Sequence, residues 1–184
     1  MWSGADSASN LESLIKQVNQ EIRTMSYLLY PPLLDEVGLR SALAEYAQGF
    51  AQRSGIEVSL DVPGHLPRLE RDLELCLFRI VQECLTNIHR HAESETAAIR
   101  ITCDDEALKL EVRDRGKGIS PEKLSGIQFQ GMGVGIRGMR ERVRHFGGDI
   151  AFQSNRSGTT VCVVVPVLKN GAQAPGRIHV QAIA

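Results

Sequence analysis

Three polar residues, Glu83, Asn87 and His91, are spaced four apart in the segment VQECLTNIHRHA at residues 81–92. In a helix this spacing places them along one stripe, because residues four apart lie above one another. Apolar residues alternate with them, so another side of the same helix is expected to pack on a core. Polar groups beside a core cost roughly 2–7 kcal/mol unless they have partners. The stripe therefore predicts a bound polar partner.

Each member of the stripe offers a different chemical group. The side-chain oxygen of Asn87 suits a hard cation such as Mg²⁺. Arg90 and His91 can donate hydrogen bonds to phosphate oxygens. Glu83 can polarise a hydroxyl, a water or an imidazole N–H close to a phosphate. Together these groups predict that the partner is a triphosphate with its Mg²⁺.

A second candidate group follows the apolar strand pattern LKLEV. Asp114 stands at the end of that strand and is followed by Gly116 and Gly118. An acid that accepts hydrogen bonds, followed by two glycines, suits a planar ligand that comes close to the backbone. The 6-amino group of adenine fits this description. A simple Asp-Gly hairpin turn explains the same residues, and at this point that alternative stays open.

A third group is the glycine-rich segment GMGVGIRGM at residues 131–139, which leads into a helix. Backbone N–H groups at a helix N-terminus form an anion site. A flexible loop with a helix cap is the simpler alternative. Gly133, Gly135 and Gly138 also match the dinucleotide pattern G-x-G-x-x-G. No apolar strand precedes them, and no acid follows about 20 residues later to hold a ribose, so the match is weak.

The bulk properties limit the classes of function. The chain has 184 residues, 42% of them hydrophobic and 23% charged, which predicts one soluble domain plus an appendage. The net charge of −1 argues against a nucleic-acid binder. The 4 cysteines show no zinc spacing and lie in apolar runs, which predicts buried free thiols. Without a signal peptide or a long apolar run, a cytoplasmic protein is expected.

Hydrophobic periodicity predicts the elements that must position these groups. Helices are predicted at 10–30, 36–53, 70–92 and 136–146, strands at 56–62, 96–104, 107–116, 149–155 and 158–167, and a glycine-rich loop at 116–135. Consecutive strands separated by tight turns favour a mixed, mostly antiparallel sheet covered by helices on one face. The predicted fold class is therefore α+β, a two-layer sandwich.

The three groups, in this order, resemble the catalytic ATP-binding (Bergerat) domain of sensor histidine kinases. ECLTNIHRHA resembles the N box of that family, DRGKG its first glycine box, GMGVGIRGM its second, and GTTVCVVVP its closing strand. The resemblance covers residues 35–166 and implies ATP and Mg²⁺ as ligands. It implies Glu83 as the catalytic residue, Asn87 as the Mg²⁺ ligand, and as nucleotide-binding residues Asn87, Arg90, His91, Asp114, Gly116, Gly118, Ile119, Gly133, Val134, Gly135, Gly138, Met139 and Thr159.

The flanking segments LLYPPLLDEVGLRSAL and GMRERVRHFGG are similar to the nitrate-sensor-like branch of these kinases. The resemblance implies a homodimeric full-length kinase with a sensor domain and a phosphoacceptor bundle. It also implies a response regulator with a helix-turn-helix output domain as partner. The expected division is a linker at 1–9, a bundle helix at 10–30, the catalytic domain at 31–168 and a tail at 169–184.

Two departures from the family pattern are visible. The N-box lysine of the family is Arg90 here, and no histidine followed by an acid stands in a bundle helix. The chain is therefore expected to bind ATP without phosphorylating itself. A GHKL-type ATPase, an anti-sigma serine kinase and a non-catalytic nucleotide-responsive module remain as alternatives. A metal site formed by His89 and His91 is not expected, since residues two apart point to different sides of a helix.

Overall fold

The computed structural model describes residues 32–64, 66–130 and 134–167. Its elements are α1 (Pro32–Ser54), β1 (Glu57–Asp61), α2 (Arg71–Asn87), β2 (Thr96–Cys103), β3 (Ala107–Asp114), α3 (Pro121–Gln130), α4 (Val134–His145), β4 (Asp149–Asn155) and β5 (Gly158–Pro166). The segment predicted as a linker, the helix predicted at 10–30, the tail and Gly133 lie outside the described residues. None of the helices described is long and apolar enough to cross a lipid bilayer.

The five strands form one mixed sheet in the order β1-β2-β3-β5-β4. β1 pairs with β2 in parallel, and the other neighbours are antiparallel. Strand β2 shows the alternation that a sheet covered on one face requires, because Ile99 and Ile101 are buried while Arg100 is exposed. The predicted α+β class with a mixed, mostly antiparallel sheet is confirmed.

β1 forms one edge of the sheet and has only five residues. It begins with Glu57 and ends with Asp61, and both of these side chains are exposed. Asp61 also forms an ion pair with Arg100 of the neighbouring strand, with Nε and Oδ2 2.8 Å apart. The free side of this strand is therefore flanked by acidic groups.

Helix α2 is the central helix of the core. Its Phe78 is completely buried and meets the ring of Tyr46 from α1 edge-on, with ring centroids 5.4 Å apart. Burying a side chain of this size stabilises the fold by about 1.5–3 kcal/mol. The apolar side of α2 thus fixes the direction in which its polar stripe faces.

Helix α1 is broken at Gly38, whose φ of 80° and ψ of 174° are not helical. A break leaves backbone carbonyl groups without partners in the helix. Arg68 supplies the missing donor, since its Nη2 lies 2.9 Å from the carbonyl oxygen of Leu34 and 2.8 Å from that of Asp35. The sequence predicted a helix only from residue 36; the observed helix begins four residues earlier and bends at the glycine.

The prediction of a glycine-rich loop over residues 116–135 is wrong in its middle part, because helix α3 forms there. Ser120 precedes Pro121, which is favoured in the first helical position. The backbone N–H of Lys123 donates to Ser120 Oγ over 3.5 Å, and that of Leu124 donates to the Ser120 carbonyl over 2.8 Å. The sequence Ser120-Pro121 is a helix start signal, but the glycines on both sides of the segment favoured the prediction of a loop.

The helix predicted at 70–92 also needs a correction in its last turn. The α-helix ends at Asn87 and continues as a π-helical turn over Ile88–Ala92. The chain then leaves through Glu93, which has the left-handed conformation with φ of 55°. Single π turns inside helices occur frequently at functional sites. The π turn widens the helix at Arg90 and His91.

Candidate functional site

A cleft of about 1150 Å³ opens beside the C-terminal end of α2, between the sheet, α3 and α4. Apolar side chains make up much of its wall: Ile88, Val112, Ile119, Leu124, Ile127, Ile136, Met139, Phe152 and Val161. A cleft of this size with an apolar wall and a few polar groups is typical of a small-molecule site.

Asp114 is the only carboxylate that lines the described part of this cleft, and it is 4% exposed. Its Oδ1 accepts hydrogen bonds from the backbone N–H groups of Gly116 at 2.8 Å and Thr159 at 3.2 Å. Because both bonds go to Oδ1, the other oxygen is left to accept a hydrogen bond from a ligand.

Ser154 is a residue of this site that the sequence did not reveal. Its Oγ accepts a hydrogen bond from the Ile119 backbone N–H at 2.8 Å and lies 2.9 Å from Thr159 Oγ1. It therefore joins the loop after β3 to the first residues of β5. The serine lies on β4, whose apolar-polar alternation gave no sign of a link to a loop about 35 residues away.

A second feature of the site is a cationic rim, of which only Arg90 was predicted from the sequence. We give this name to the exposed residues Arg90, Lys117, Lys123 and Arg156, all of which line the cleft. Lys117 also contacts Glu93, with Nζ and Oε1 2.6 Å apart. The rim thus places four basic side chains around a cleft that contains a single buried carboxylate. A cleft with this distribution of charge attracts a polyanion.

The predicted polar stripe is brought to the edge of this cleft. Asn87, Arg90 and His91 all line the cleft. Glu83 lies behind Asn87, with Glu83 Oε1 and Asn87 Nδ2 3.4 Å apart. His89 faces away and meets the ring of Phe50 edge-on at 6.2 Å. The two histidines therefore point to different sides, as the spacing predicted.

The glycines of the first box leave room for the protein's own backbone. A methyl group added to Gly116 would overlap the carbonyl oxygen of Ala92, and one added to Gly118 would overlap that of Asn155. Gly118 also has a φ of 72°, which side chains rarely allow. Gly118 lines the cleft and Gly116 does not. Close approach of a ligand to these glycines stays a prediction.

The second glycine box begins α4 at Val134, and Met139 of this helix lines the cleft. Gly135 and Gly138 are not part of the cleft wall. A methyl group added to Gly135 would overlap Oε1 of Glu83, whereas one added to Gly138 would lie 3.0 Å from Arg142 Nη2. The first turn of α4 is therefore packed against the polar stripe of α2.

Cys84 also lines the cleft, so its reactivity has to be considered. Burial, and secondarily the charge of Glu83, raise the pKa of this thiol to about 12. Because the thiolate is the nucleophile, Cys84 is unreactive at neutral pH. The described cysteines are free, and Cys76, Cys84 and Cys162 are buried as the sequence predicted, whereas Cys103 is only half-buried.

The fold and this cleft define a class of protein. The family model described as "Histidine kinase-, DNA gyrase B-, and HSP90-like ATPase" matches residues 72–169, more than half of the chain. The chain therefore belongs to this family of ATPases, and the matched range includes the three predicted boxes. This result agrees with the resemblance drawn from the motifs.

Within that family, the similar curated proteins are sensor histidine kinases. The chain is 33% identical to the sensor histidine kinase MctS of Rhizobium johnstonii over 90% of its own length and 36% of the relative's. It is 31% identical to the sensor histidine kinase NarS of Mycobacterium tuberculosis over 83% and 35% of the two chains. The chain thus spans little more than a third of these relatives.

Solved structures show the same fold. The blue-light activated histidine kinase of Erythrobacter litoralis EL346 superposes with a TM-score of 0.63 at 21% identity, over 90% of this chain and 52% of that one. The mycobacterial sensor histidine kinase MprB superposes with a TM-score of 0.52 at 19% identity, over 67% of this chain and 92% of that one. At these identities the likeness establishes the architecture.

Proposed function

We propose that this chain is the catalytic domain of a two-component sensor histidine kinase, which transfers the γ-phosphoryl group of ATP to a histidine of a helical bundle. The observation that carries the proposal is the cleft itself: an apolar wall, one buried acid and a cationic rim. The similarity of the chain's sequence to sensor histidine kinases supports kinase activity over other ATP-dependent activities.

The adenine base belongs in the apolar part of the cleft. Oδ2 of Asp114 would accept a hydrogen bond from the 6-amino group, while Oδ1 remains bound to Gly116 and Thr159. The Thr159 hydroxyl, placed by Ser154, adds a second polar group on the same wall. Guanine carries a carbonyl oxygen where adenine has the amino group, so the Asp114 carboxylate would repel it.

The triphosphate belongs at the cationic rim. Arg90, His91 and Lys117, which line the cleft, would donate hydrogen bonds to its oxygens. Asn87 would hold Mg²⁺ through its amide oxygen. When bound, Mg²⁺ supplies charge neutralisation between phosphate oxygens. The described residues contain no cluster of three acids, histidines or cysteines that could hold a metal alone. This fits Mg²⁺, which keeps several waters and takes further ligands from substrate phosphates.

Glu83 is the candidate to assist the N–H of the acceptor imidazole, because it lies one turn from Asn87 on the same stripe. The acceptor would come from the dimerisation bundle, of which the segment at 10–30 is the proposed continuation. A homodimeric full-length kinase with an upstream sensor domain, and a response regulator with a helix-turn-helix output, complete the proposed system.

The test uses this chain with radiolabelled ATP, with or without Mg²⁺, and a phosphoacceptor bundle supplied in trans. Label that appears on the bundle as acid-labile, alkali-stable phosphohistidine supports the kinase. Free phosphate released at the same rate without the bundle would instead indicate a hydrolysing ATPase. ATP binding without either product would favour a nucleotide-responsive module, and failure to bind ATP would contradict the proposed site.

A further inference from the structure

Glu83 lies between two elements of the site. On one side its Oε1 is 3.4 Å from Nδ2 of Asn87, one turn further along α2. On the other side it meets Gly135 in the first turn of α4, where a methyl group would overlap the same oxygen. The Glu83 carboxylate thus occupies the space that the side chain of any other residue at position 135 would need.

This contact decides which way the amide of Asn87 faces. A carboxylate can only accept hydrogen bonds, so the NH₂ group of Asn87 is the half that turns towards Glu83. The opposite orientation would bring two electronegative oxygens together. With NH₂ held by Glu83, the Oδ1 of Asn87 lies at the opposite end of the planar amide group and points away from Glu83. Since Asn87 lines the cleft, that oxygen is presented to the ligand.

We propose that Glu83 is a positioning residue for Asn87, and that Gly135 leaves the space in which the Glu83 carboxylate is held. This inference rests on the proposed role of Asn87 as a Mg²⁺ ligand. An oxygen attracts the cation, whereas a reversed amide would present N–H groups that repel it. Residues that orient a metal ligand commonly change metal affinity by about 10- to 100-fold when they are removed.

Two substitutions separate positioning from charge. In Glu83→Gln the side-chain oxygen still accepts the NH₂ group of Asn87, so the orientation of the amide is kept although the charge is lost. Glu83→Ala removes the acceptor altogether. Gly135→Ala displaces the tip of the Glu83 side chain without changing either polar residue. Gly49→Ala is the matched control, because this helical glycine also faces only the tip of a flexible side chain, that of Arg53.

The measurement is the affinity of the chain for ATP by titration calorimetry at increasing Mg²⁺ concentration. We expect Glu83→Ala and Gly135→Ala to lower the apparent Mg²⁺ affinity about tenfold or more, and Glu83→Gln and Gly49→Ala to leave it within about twofold. The double variant Glu83→Ala with Gly135→Ala should be no weaker than Glu83→Ala alone, because both act through one carboxylate. Circular dichroism confirms that each variant is folded.

Asn87→Ala distinguishes failure of this inference from failure of the proposed function. If Asn87→Ala removes the Mg²⁺ dependence but Glu83→Ala keeps it, Asn87 is a ligand that Glu83 does not position, and the inference is wrong. A loss in Glu83→Gln equal to that in Glu83→Ala would overturn it as well, since charge and not hydrogen bonding would then be the cause. If Asn87→Ala leaves the Mg²⁺ dependence unchanged, the proposed metal ligand itself is wrong.

Discussion

The two oxygens of Asp114 have separate tasks. Oδ1 holds the loop after β3 and the start of β5 through the backbone N–H groups of Gly116 and Thr159. Oδ2 takes part in neither bond and is the oxygen proposed to accept the adenine amino group. Under the proposed function, this one buried carboxylate both holds the cleft together and selects the base, and the two contributions can be separated by changing one oxygen into an NH₂ group.

Asp114→Asn makes that change while an oxygen still accepts the two backbone bonds. We expect ATP affinity to fall tenfold or more, about 1.4 kcal/mol, because an acceptor for the adenine amino group becomes a donor. Titration calorimetry with ATP and GTP checks this. Asp61→Asn, on the edge strand, is the control and should bind ATP normally. An equal loss for both nucleotides would show that the substitution disturbs the loop and not base recognition.

Among individual residues, the sequence predicted those whose position follows from spacing within one helix or strand. Asn87 and His91 were predicted because residues four apart lie on one stripe of a helix, and Asp114 because it ends a strand; all three line the cleft. Ser154 and the lysines at 117 and 123 were not found. Their place beside the cleft depends on contacts between elements distant in the chain, which no local sequence pattern shows.

The junction of α1 and α2 is held by polar groups around the break at Gly38. Arg71 forms an ion pair with Asp35 at 2.7 Å, and Arg68 binds the freed carbonyl groups. Glu74 lies beneath them, 2% exposed, with its Oε1 3.6 Å from Arg68 Nε. Its Oε2 has no hydrogen-bond partner within the described residues. Burial raises the pKa of this carboxyl, and the Leu69 N–H and Arg68 lower it only in part.

Because the pKa of Glu74 is raised on folding, the folded chain binds this proton more tightly than the unfolded chain does. The stabilisation is therefore fully present below the unfolded pKa and is lost as the pH rises through the folded one. Glu74→Gln, which stays neutral, should gain stability relative to the natural chain as the pH rises from 4 to 7. Urea unfolding at several pH values measures this. A constant difference across that range would contradict it.

Helices and strands were predicted correctly where apolar residues recur at regular spacing. They were missed where contacts with distant parts of the chain determine the local conformation. The strand boundaries at 149–155 agree with the sequence, since apolar and polar residues alternate there. Helix α3 was missed because its ten residues include a serine and a glycine and show little apolar periodicity. The π turn at Ile88–Ala92 has no local signature, because it depends on how the chain must leave α2 to begin β2.

The whole molecule has a net charge of only −1, yet its cleft has a cationic rim. We expect ATP affinity to fall several-fold between 0.1 and 1 M salt, because the screening length shortens from about 10 Å to about 3 Å. Adenosine, which lacks the phosphates, should bind with little salt dependence and is the matched control. Titration of both ligands at each salt concentration tests this. Equal salt dependence would show that the rim does not contact the phosphates.

The short edge strand β1 has a consequence for how the domain behaves at high concentration. An open strand edge invites another chain to add a strand, the first step of edge-to-edge aggregation. Here the acidic side chains of Glu57 and Asp61 flank that edge, so two copies meeting through it would bring like charges together. Within the part of the chain that the structure describes, the charge of these outermost side chains opposes self-assembly through this edge, and neutralising both acids would remove that opposition.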